Sequence, residues 1–166
     1  ATFNWKAVAD GINILGGVDI ELSENERSWI NAYITETVKE TGIGSHQIEK
    51  AGLVHMDGVQ AVAYGRIRYG DTDYARTERQ RIVLQAAFEK AKTADWATLN
   101  NIIQTVMPQL ATNIEMTDLI PLARNLSTFH IGDTKGFPMA RGEAKIGKNG
   151  DCVIPQTLES NVVELH

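Results

Sequence analysis

The sequence predicts a mixed α/β fold in which several helices pack in layers against a thin sheet. Apolar residues recur at helical spacing over most of the chain, and a few short segments have the alternation or the apolar runs of strands. The chain has 166 residues, of which 43% are hydrophobic and 22% charged, as in an ordinary globular protein. We therefore expect a layered α-β-α domain with a mixed central sheet.

The first segments of the chain alternate between helix and strand. The opening helical pattern ends at the pair Gly16-Gly17, because glycine adopts the left-handed conformation that closes a helix. Val18 to Leu22 alternates apolar and acidic residues, which is typical of a half-buried strand. Ser23, followed by Glu26 three residues later, forms a capping box that predicts the start of a second helix, and Gly42 is expected to end that helix.

Helices dominate the middle of the chain. Val59–Arg66 follows the pair Asp57-Gly58 and is predicted to be helical, and a polar loop is predicted over Gly70–Asp73. A longer helix is expected from Tyr74 to Lys92. Two further helical patterns cover residues 95–111 and 116–127.

The C-terminal part changes from helical to strand periodicity. Phe129–Ile131, Ala144–Ile146 and Cys152–Ile154 are predicted strands, and Asn149-Gly150 between the last two is a strong tight-turn pair. A final helix is predicted from Asn161 to His166. The predicted sheet has few strands for so many helices, which indicates that the fold uses further strands from outside this chain.

Composition excludes several classes of protein and site. A net charge of −5 argues against nucleic-acid binding, and no apolar run approaches the length of a membrane span. Cys152 is the single cysteine, so it forms no disulfide within the chain, and we interpret it as a small buried hydrophobe. The four histidines lack metal-ligand spacing. Four glutamates of the second helix are interpreted as a solvated face: Glu24, Glu26, Glu36 and Glu40.

The arginines are concentrated in one segment. Five of the eight lie within sixteen residues, and no comparable lysine cluster exists: Arg66, Arg68, Arg76, Arg79 and Arg81. Arginine binds phosphate or carboxylate oxygens in a fixed, bidentate geometry that lysine does not provide. In an acidic protein, this cluster predicts a site for a specific anion.

The start of the third long helix is the best candidate for that site. Arg76 and Gln80 are four residues apart and share a helix face that continues as apolar residues. Asp73 can cap the helix, whose N-terminus favours phosphate. The alternative is a solvated network of ion pairs with Asp71, Asp73 and Glu78, each worth little. Residue types and spacing alone leave both interpretations open.

The segment Asp57–Gln80 reads DGVQAVAYGRIRYGDTDYARTERQ. Its order of an acidic residue and glycine, Gln-Ala-x-Ala-Tyr, Arg-x-Arg-Tyr, a short loop, Asp-x-x-Arg and Arg-Gln resembles the signature of the LytR-CpsA-Psr family. Leu15–Asp19, LGGVD, is similar to another element of that family. The resemblance covers essentially all of residues 1–166. The chain is identified as the C-terminal portion of a single catalytic domain of this family.

The resemblance implies a cell-wall phosphotransferase. Such an enzyme moves a glycopolymer, for instance a teichoic acid or capsule, from a polyprenyl-pyrophosphate carrier to peptidoglycan. It implies that Arg66, Arg76 and Gln80 hold the pyrophosphate, while Asp73 orients the arginines or approaches a metal. These four residues are the implied catalytic set, and Arg68 and Arg79 are implied substrate-binding residues. Arg81 is expected on the solvent side. An elongated apolar cavity for the lipid is expected to begin near Arg76 and to run between the helices of Val59–Tyr64 and Ile82–Phe88 and the sheet.

The family pattern also implies parts that residues 1–166 do not contain. These are the N-terminal strands, with the aspartates that bind Mg²⁺ and a further arginine, and a membrane anchor. The partners expected of this chain are therefore the N-terminal half of the domain, the lipid-linked glycopolymer and peptidoglycan. The implied location is the outer face of the cytoplasmic membrane, facing the wall of a Gram-positive bacterium.

Two other functions remain as alternatives from the sequence. One is a module that binds polyprenyl phosphate without catalysis, since the implied metal ligands lie outside the chain. The other is a transcriptional regulator of cell-envelope genes. The negative charge and the lack of a helix-turn-helix motif with a basic recognition helix count against the regulator.

Overall fold

A computed structural model describes the backbone of residues 2–68, 73–132, 141–145 and 151–165. The chain forms two compact units, Ala1–Phe129 and His130–His166. The predicted loop residues 70–72, the predicted turn Asn149-Gly150 and the side chain of Cys152 lie outside the described part of the chain. The expectation that residues 1–166 form part of a single domain stays a prediction.

The first unit contains most of the helices. Its elements are β1 (Thr2–Phe3), α1 (Trp5–Ile14), β2 (Val18–Leu22), α2 (Glu24–Thr41), β3 (Gly52–Met56), α3 (Gly58–Arg66), α4 (Asp73–Lys92), α5 (Trp96–Val106), β4 (Leu110–Ala111) and α6 (Met116–Arg124). Short 3₁₀ turns follow α5 and α6, over Met107–Gln109 and Leu126–Thr128. The second unit contains β5 (Arg141–Lys145), β6 (Asp151–Pro155) and α7 (Leu158–Leu165).

The mixed α/β class predicted from the sequence is confirmed. In the described residues the strands pair in twos and antiparallel, β1 with β4, β2 with β3 and β5 with β6. Val18 of β2 lies opposite Met56 of β3, and Leu22 lies opposite Gly52. None of the described helices is long and apolar enough to cross a membrane.

The strand predicted at Phe129–Ile131 is wrong. The backbone N–H of Phe129 closes the preceding 3₁₀ turn, since it donates to the Leu126 carbonyl at 3.1 Å, and is not available to a strand partner. Phe129 and Ile131 are each 40% exposed, so neither side chain has a buried sheet face to occupy. Apolar residues with strand spacing here lack a partner strand among the described residues, and the backbone stays irregular.

Local sequence signals set the ends of α2 and α3. Ser23 and Glu26 form the predicted capping box, and α2 ends at Gly42, whose φ of 70° is left-handed. Asp57 and Gln60 form a second capping box at the start of α3. The Gln60 amide also donates to the His46 carbonyl at 2.9 Å, which attaches the loop before β3 to this helix.

Helix α3 is the centre of the first unit. Every residue from Gly58 to Gly65 is buried, and the helix packs against α1, α2, α4 and β3. Apart from Gln60, whose amide is hydrogen-bonded, the buried residues of this helix are apolar or small, which suits such a fully enclosed position. The same core includes the inward residues of β2 and α2: Val18, Ile20, Leu22, Ile30 and Ile34.

The crossing of α1 and α3 depends on Gly58. A Cβ atom at this position would overlap the Ala9 carbonyl oxygen and lie 2.7 Å from the Ala9 Cα. Both obstacles are backbone atoms, so no side-chain rotation relieves the overlap. The Gly58 N–H donates to the Asn13 side chain at 2.7 Å, which fixes the two helices at this separation.

A buried ion pair joins α2 to α4. The Arg79 Nε donates to Glu26 Oε1 at 2.8 Å, and the two side chains are 6% and 15% exposed. Burial alone would raise the pKa of Glu26, but hydrogen bonds from Arg79 and from Ser23 outweigh it and lower the pKa below its ordinary value of 4.5. Tyr64 lies beside this pair, and burial, with the Glu26 charge, raises its pKa to about 12. The expectation that Glu26 belongs to a solvated face is therefore wrong.

We predict that Gly58→Ala destabilises the protein while Gly44→Ala does not. The first substitution forces α1 away from α3 and should cost roughly 1–3 kcal/mol, the usual penalty of overpacking. A Cβ atom at Gly44 would have no neighbour within 4 Å, and the residue has no positive φ, so it serves as the control. Urea unfolding measures both. Equal midpoints for the two variants would contradict the assigned contact.

We also predict that the ion pair makes stability depend on acidic pH. Since the folded-state pKa of Glu26 is lowered, its stabilising contribution is present above about pH 4.5 and is lost as the pH falls through the folded value. Glu26→Gln should therefore flatten the decline in unfolding free energy below about pH 4.5. Glu24→Gln is the control, because Glu24 is 81% exposed. Indistinguishable pH profiles for the two variants would refute the assignment.

Candidate functional site

The arginine-rich segment borders an apolar groove beside α4. A cavity of about 500 Å³ lies between α1, α3 and α4, and its polar end is formed by Gln80 and Asn4. The residues that line it are Asn4, Trp5, Val8, Ala61, Val62, Gly65, Gln80, Val83 and Leu84. An apolar wall with a few polar groups at one end is typical of ligand pockets.

A second cavity extends the first along α4. It has a volume of about 430 Å³ and lies between α1, α4 and α5. It shares Val8, Val83 and Leu84 with the first cavity, and the side chains named for its lining are all apolar. From Gln80 to Ala91 the two cavities follow α4 for roughly 16 Å, at 1.5 Å per residue. The elongated apolar cavity expected near the arginine cluster is present, although it runs between helices rather than against the sheet.

Arg66 lies at the border of the first cavity. Its guanidinium is 5.3 Å from the centroid of the Trp5 ring, which lines that cavity. The same guanidinium donates to Thr37 Oγ1 at 2.9 Å and pairs with Glu40 at 2.9 Å and Glu36 at 3.6 Å. Both glutamates are largely exposed, so these pairs are weak and open to competition by an anion of higher charge.

Gln80 and Arg76 lie on one face of α4, one turn apart. The Gln80 side chain lines the first cavity, and its amide lies 3.4 Å from the Gly65 carbonyl oxygen. Arg76, one helical turn before Gln80, is half-buried. Asp73 is the first residue of α4, and its side chain lies outside the described part of the chain.

The remaining arginines of the cluster differ in their surroundings. Arg68 is exposed, and its backbone N–H donates to the Tyr33 hydroxyl at 3.0 Å. Arg79 is 5% exposed and points inward, towards Glu26 and the Ile67 carbonyl. Arg81 pairs with Glu78 at 3.1 Å on the outer side of α4, where it was expected. The structure thus brings Arg66 and Gln80 to the groove and places Arg79 in the interior.

Three residues at this site were not anticipated from the sequence as partners of the arginines. Trp5 stacks under Arg66, Tyr33 holds the backbone of Arg68, and Glu26 neutralises Arg79. Each lies between 35 and 61 residues away from its partner, so no local spacing connects them. The only usable signal was the capping box, which marked Glu26 as fixed at a helix start and hence unlike the other glutamates of α2.

The LGGVD element belongs to the scaffold. Gly16 and Gly17 have φ values of 80° and 87°, a conformation that favours glycine, and they form the turn from α1 to β2. Asp19 Oδ1 lies 2.7 Å from His55 Nδ1 across the β2–β3 pair, and His55 Nε2 lies 2.9 Å from the Gly16 carbonyl oxygen. These contacts fix the turn and the strand register.

The described residues do not supply a magnesium site by themselves. No group of three or more His, Cys, Asp or Glu side chains converges within the ranges that the structure describes. Mg²⁺ takes oxygen ligands, chiefly carboxylates and phosphates. The carboxylates near the groove, Glu36 and Glu40, pair with Arg66. The described part of the chain therefore does not fit a resident metal.

Comparison with known proteins identifies relatives of this fold. Polyisoprenyl-teichoic acid–peptidoglycan teichoic acid transferase TagT of Bacillus subtilis strain 168 is 29% identical over 120 residues, which are 72% of this chain and 35% of that protein. The crystal structure of B. subtilis TagV matches 99% of this chain and 59% of its own, with 21% identity and a TM-score of 0.63. A structure of TagT bound to LIIa-WTA matches 98% and 56%, with 20% identity and a TM-score of 0.66.

The chain therefore spans about a third of the length of this curated transferase. The structural likenesses, at about one residue in five identical, establish a shared fold. The match to a family model covers residues 1–153, which is nearly the whole chain and includes both motifs of the sequence analysis. The chain belongs to the LytR_cpsA_psr family.

Proposed function

We propose that the protein containing this chain is a phosphotransferase of the cell envelope, which transfers a glycopolymer from a polyprenyl-pyrophosphate carrier to peptidoglycan. One observation carries the proposal: an apolar groove on α4 begins at Gln80, beside the segment that bears Arg66. A polyprenyl pyrophosphate has the same division into an apolar tail and an anionic head. The names of the relatives, which are transferases of polyisoprenyl-linked teichoic acid, support it.

The groove would hold the lipid tail. Each CH₂ group transferred from water to an apolar wall contributes about 0.8 kcal/mol, so even a few isoprene units bind with useful affinity. The lining residues of the second cavity come mainly from α1, α4 and α5 and carry no charge. The tail would therefore lie along α4 with its pyrophosphate at the Gln80 end.

The arginine-rich segment would bind the pyrophosphate. In the proposed reaction a hydroxyl of peptidoglycan attacks the glycan-proximal phosphorus, the P–O bond to polyprenyl phosphate breaks, and the hydroxyl proton is released. Arg66, Arg76 and Gln80 would stabilise the charge on the non-bridging oxygens and the leaving group, the main requirement of phosphoryl transfer. Arg68 would contact the head from the exposed edge, and Asp73 would orient the arginines or approach a metal.

The metal ion and the cellular location complete the proposal. Mg²⁺ would neutralise phosphate charge with ligands outside the described residues, and the proposed roles of Arg66, Arg76 and Gln80 do not depend on it. We place the protein at the outer face of the cytoplasmic membrane of a Gram-positive bacterium, held by an anchor outside this chain.

A protein that binds polyprenyl phosphate without turnover remains the second candidate, since an apolar groove and anion-binding arginines are sufficient for binding. Turnover by the full-length protein separates the two.

We predict that Arg76→Ala weakens the binding of polyprenyl phosphate by the full-length protein. Loss of a hydrogen bond to a charged group should cost roughly 1.5–3 kcal/mol. Arg81→Ala is the matched control, because Arg81 lies on the same helix and pairs with Glu78 on its outer side. Titration calorimetry measures both variants. An unchanged affinity in Arg76→Ala would place the phosphate elsewhere.

We predict that Ala87→Trp weakens binding of the lipid tail without changing binding of the pyrophosphate group. Ala87 lines the second cavity, whereas Gln85, two residues before it, is exposed and does not line it. Displacing two CH₂ groups of the tail would cost ~1.6 kcal/mol, or more than tenfold in affinity for polyprenyl phosphate. Inorganic pyrophosphate should bind Ala87→Trp and the control Gln85→Trp equally. If Gln85→Trp weakens lipid binding as much as Ala87→Trp does, the groove does not hold the tail.

A further inference from the structure

Arg79 is a buried cation with two separate acceptors. It lies on α4 between Arg76 and Gln80, yet its side chain points into the core and is 6% exposed. Its Nε donates to Glu26 Oε1 at 2.8 Å, and its Nη1 donates to the Ile67 carbonyl oxygen at 3.1 Å. A charge buried to this degree is costly unless it is paired and hydrogen-bonded, and Glu26 provides the pair.

The Ile67 carbonyl is part of a segment that side chains hold at three points. Helix α3 ends at Arg66, and Ile67 adopts an extended ψ of 125°, so the backbone here leaves the helical hydrogen-bond ladder. The Gly65 carbonyl lies 3.4 Å from the Gln80 amide, the Ile67 carbonyl accepts from Arg79, and the Arg68 N–H donates to Tyr33. We call residues 65–68 the clamp segment.

The clamp segment carries the side chains of Arg66 and Arg68, and α4 carries Arg76 and Gln80. Arg79 contacts both parts, because it belongs to α4 and binds the carbonyl between the two arginines of the clamp segment. Glu26 adds the N-terminus of α2 to the same junction. One guanidinium therefore links the three elements whose relative position sets the distance between the anion-binding side chains.

We propose that Arg79, with Glu26 as its counterion, is a positioning residue that sets the geometry of the headgroup site by holding the clamp segment against α4. The inference rests on the proposed function, since it assumes that the headgroup binds between these two parts. Arg79 acts through the backbone of Ile67 and does not touch the ligand.

The proposal requires arginine rather than lysine at this position. The planar guanidinium presents Nε and Nη1 in fixed directions, and here they serve two different acceptors. A lysine ammonium is a single point charge that can keep the Glu26 pair but does not reproduce this fork. Arg79→Lys therefore retains the buried positive charge and removes the defined contact with Ile67.

The experiment compares two ligands that share a tail. Geranylgeranyl phosphate and geranylgeraniol differ only in the phosphate, so the ratio of their Kd values for the full-length protein isolates the contribution of the headgroup site. The ratio is measured for wild type, Arg79→Lys and Glu26→Gln, together with the thermal unfolding midpoint of each. Arg81→Lys is the matched control, two residues further along α4 and on its outer side.

The preference for the phosphate is the Kd of geranylgeraniol divided by the Kd of geranylgeranyl phosphate. Arg79→Lys is expected to reduce this ratio about tenfold. This is the equivalent of one charged hydrogen bond, and the Kd of geranylgeraniol should stay within about twofold of wild type. Glu26→Gln should reduce the preference in the same direction, and Arg81→Lys should leave it unchanged. A residue with only a structural role would instead weaken both ligands together, in proportion to the loss of folded protein.

Two outcomes overturn the proposal: a Kd ratio in Arg79→Lys equal to that of wild type, or a parallel loss of affinity for both ligands. If Arg79→Lys does not fold, Glu26→Gln decides, because that change removes the counterion that holds the Arg79 guanidinium in place. It should lower the ratio about threefold, and an unchanged ratio overturns the proposal. A wild-type protein that binds both ligands equally would instead refute the proposed headgroup site itself.

Discussion

The complete burial of α3 is the constraint on which the rest of the first unit depends. Eight consecutive residues of this helix are enclosed, so each neighbour must approach it closely and without leaving gaps. Gly58 allows the backbone of α1 to touch the start of α3, and Asn13 fixes that contact through a hydrogen bond. With α1 and α3 fixed, the groove between them and α4 has walls that cannot collapse independently of the core.

The same burial explains why the polar site forms where α3 ends. At the end of α3, Arg66 is only partly buried whereas Ile67 is 1% exposed, and the chain there has backbone carbonyl groups that no helical partner satisfies. Buried polar groups require partners, and the nearest elements supply them from side chains: Gln80 and Arg79 from α4 and Tyr33 from α2. Residues that satisfy the backbone in this way also fix the direction of Arg66, whose guanidinium then rests on Trp5.

Sequence reasoning succeeded where the determinant was local and failed where it was a contact between distant residues. The capping box at Ser23 and the glycine stop at Gly42 set the ends of α2. Strand β3 was missed because apolar and polar residue types do not alternate along its sequence, although burial alternates in the structure, and its pairing with β2 depends on register across the chain. At the site, spacing predicted the helix face that Gln80 shares with Arg76, whereas the inward direction of Arg79 depends on a glutamate 53 residues away. An arginine cluster therefore identifies a region of function, while the acceptors opposite each guanidinium decide which arginines a ligand can reach.

In helix α4 one periodicity serves both packing against the core and lining of the groove. Arg76, Gln80, Leu84, Ala87 and Ala91 follow each other at intervals of three or four residues, so they form one stripe along the helix. The stripe is polar over its first two positions and apolar over the rest, and its last four positions line the two cavities. Arg79, which is 5% exposed, lies on an adjoining stripe that faces the core, and Val83, also 5% exposed, lies between the two stripes and lines both cavities. Because both stripes belong to one rigid element, a displacement of the buried stripe must move the ligand-facing stripe with it. The stability of the core and the geometry of the groove are coupled through this helix.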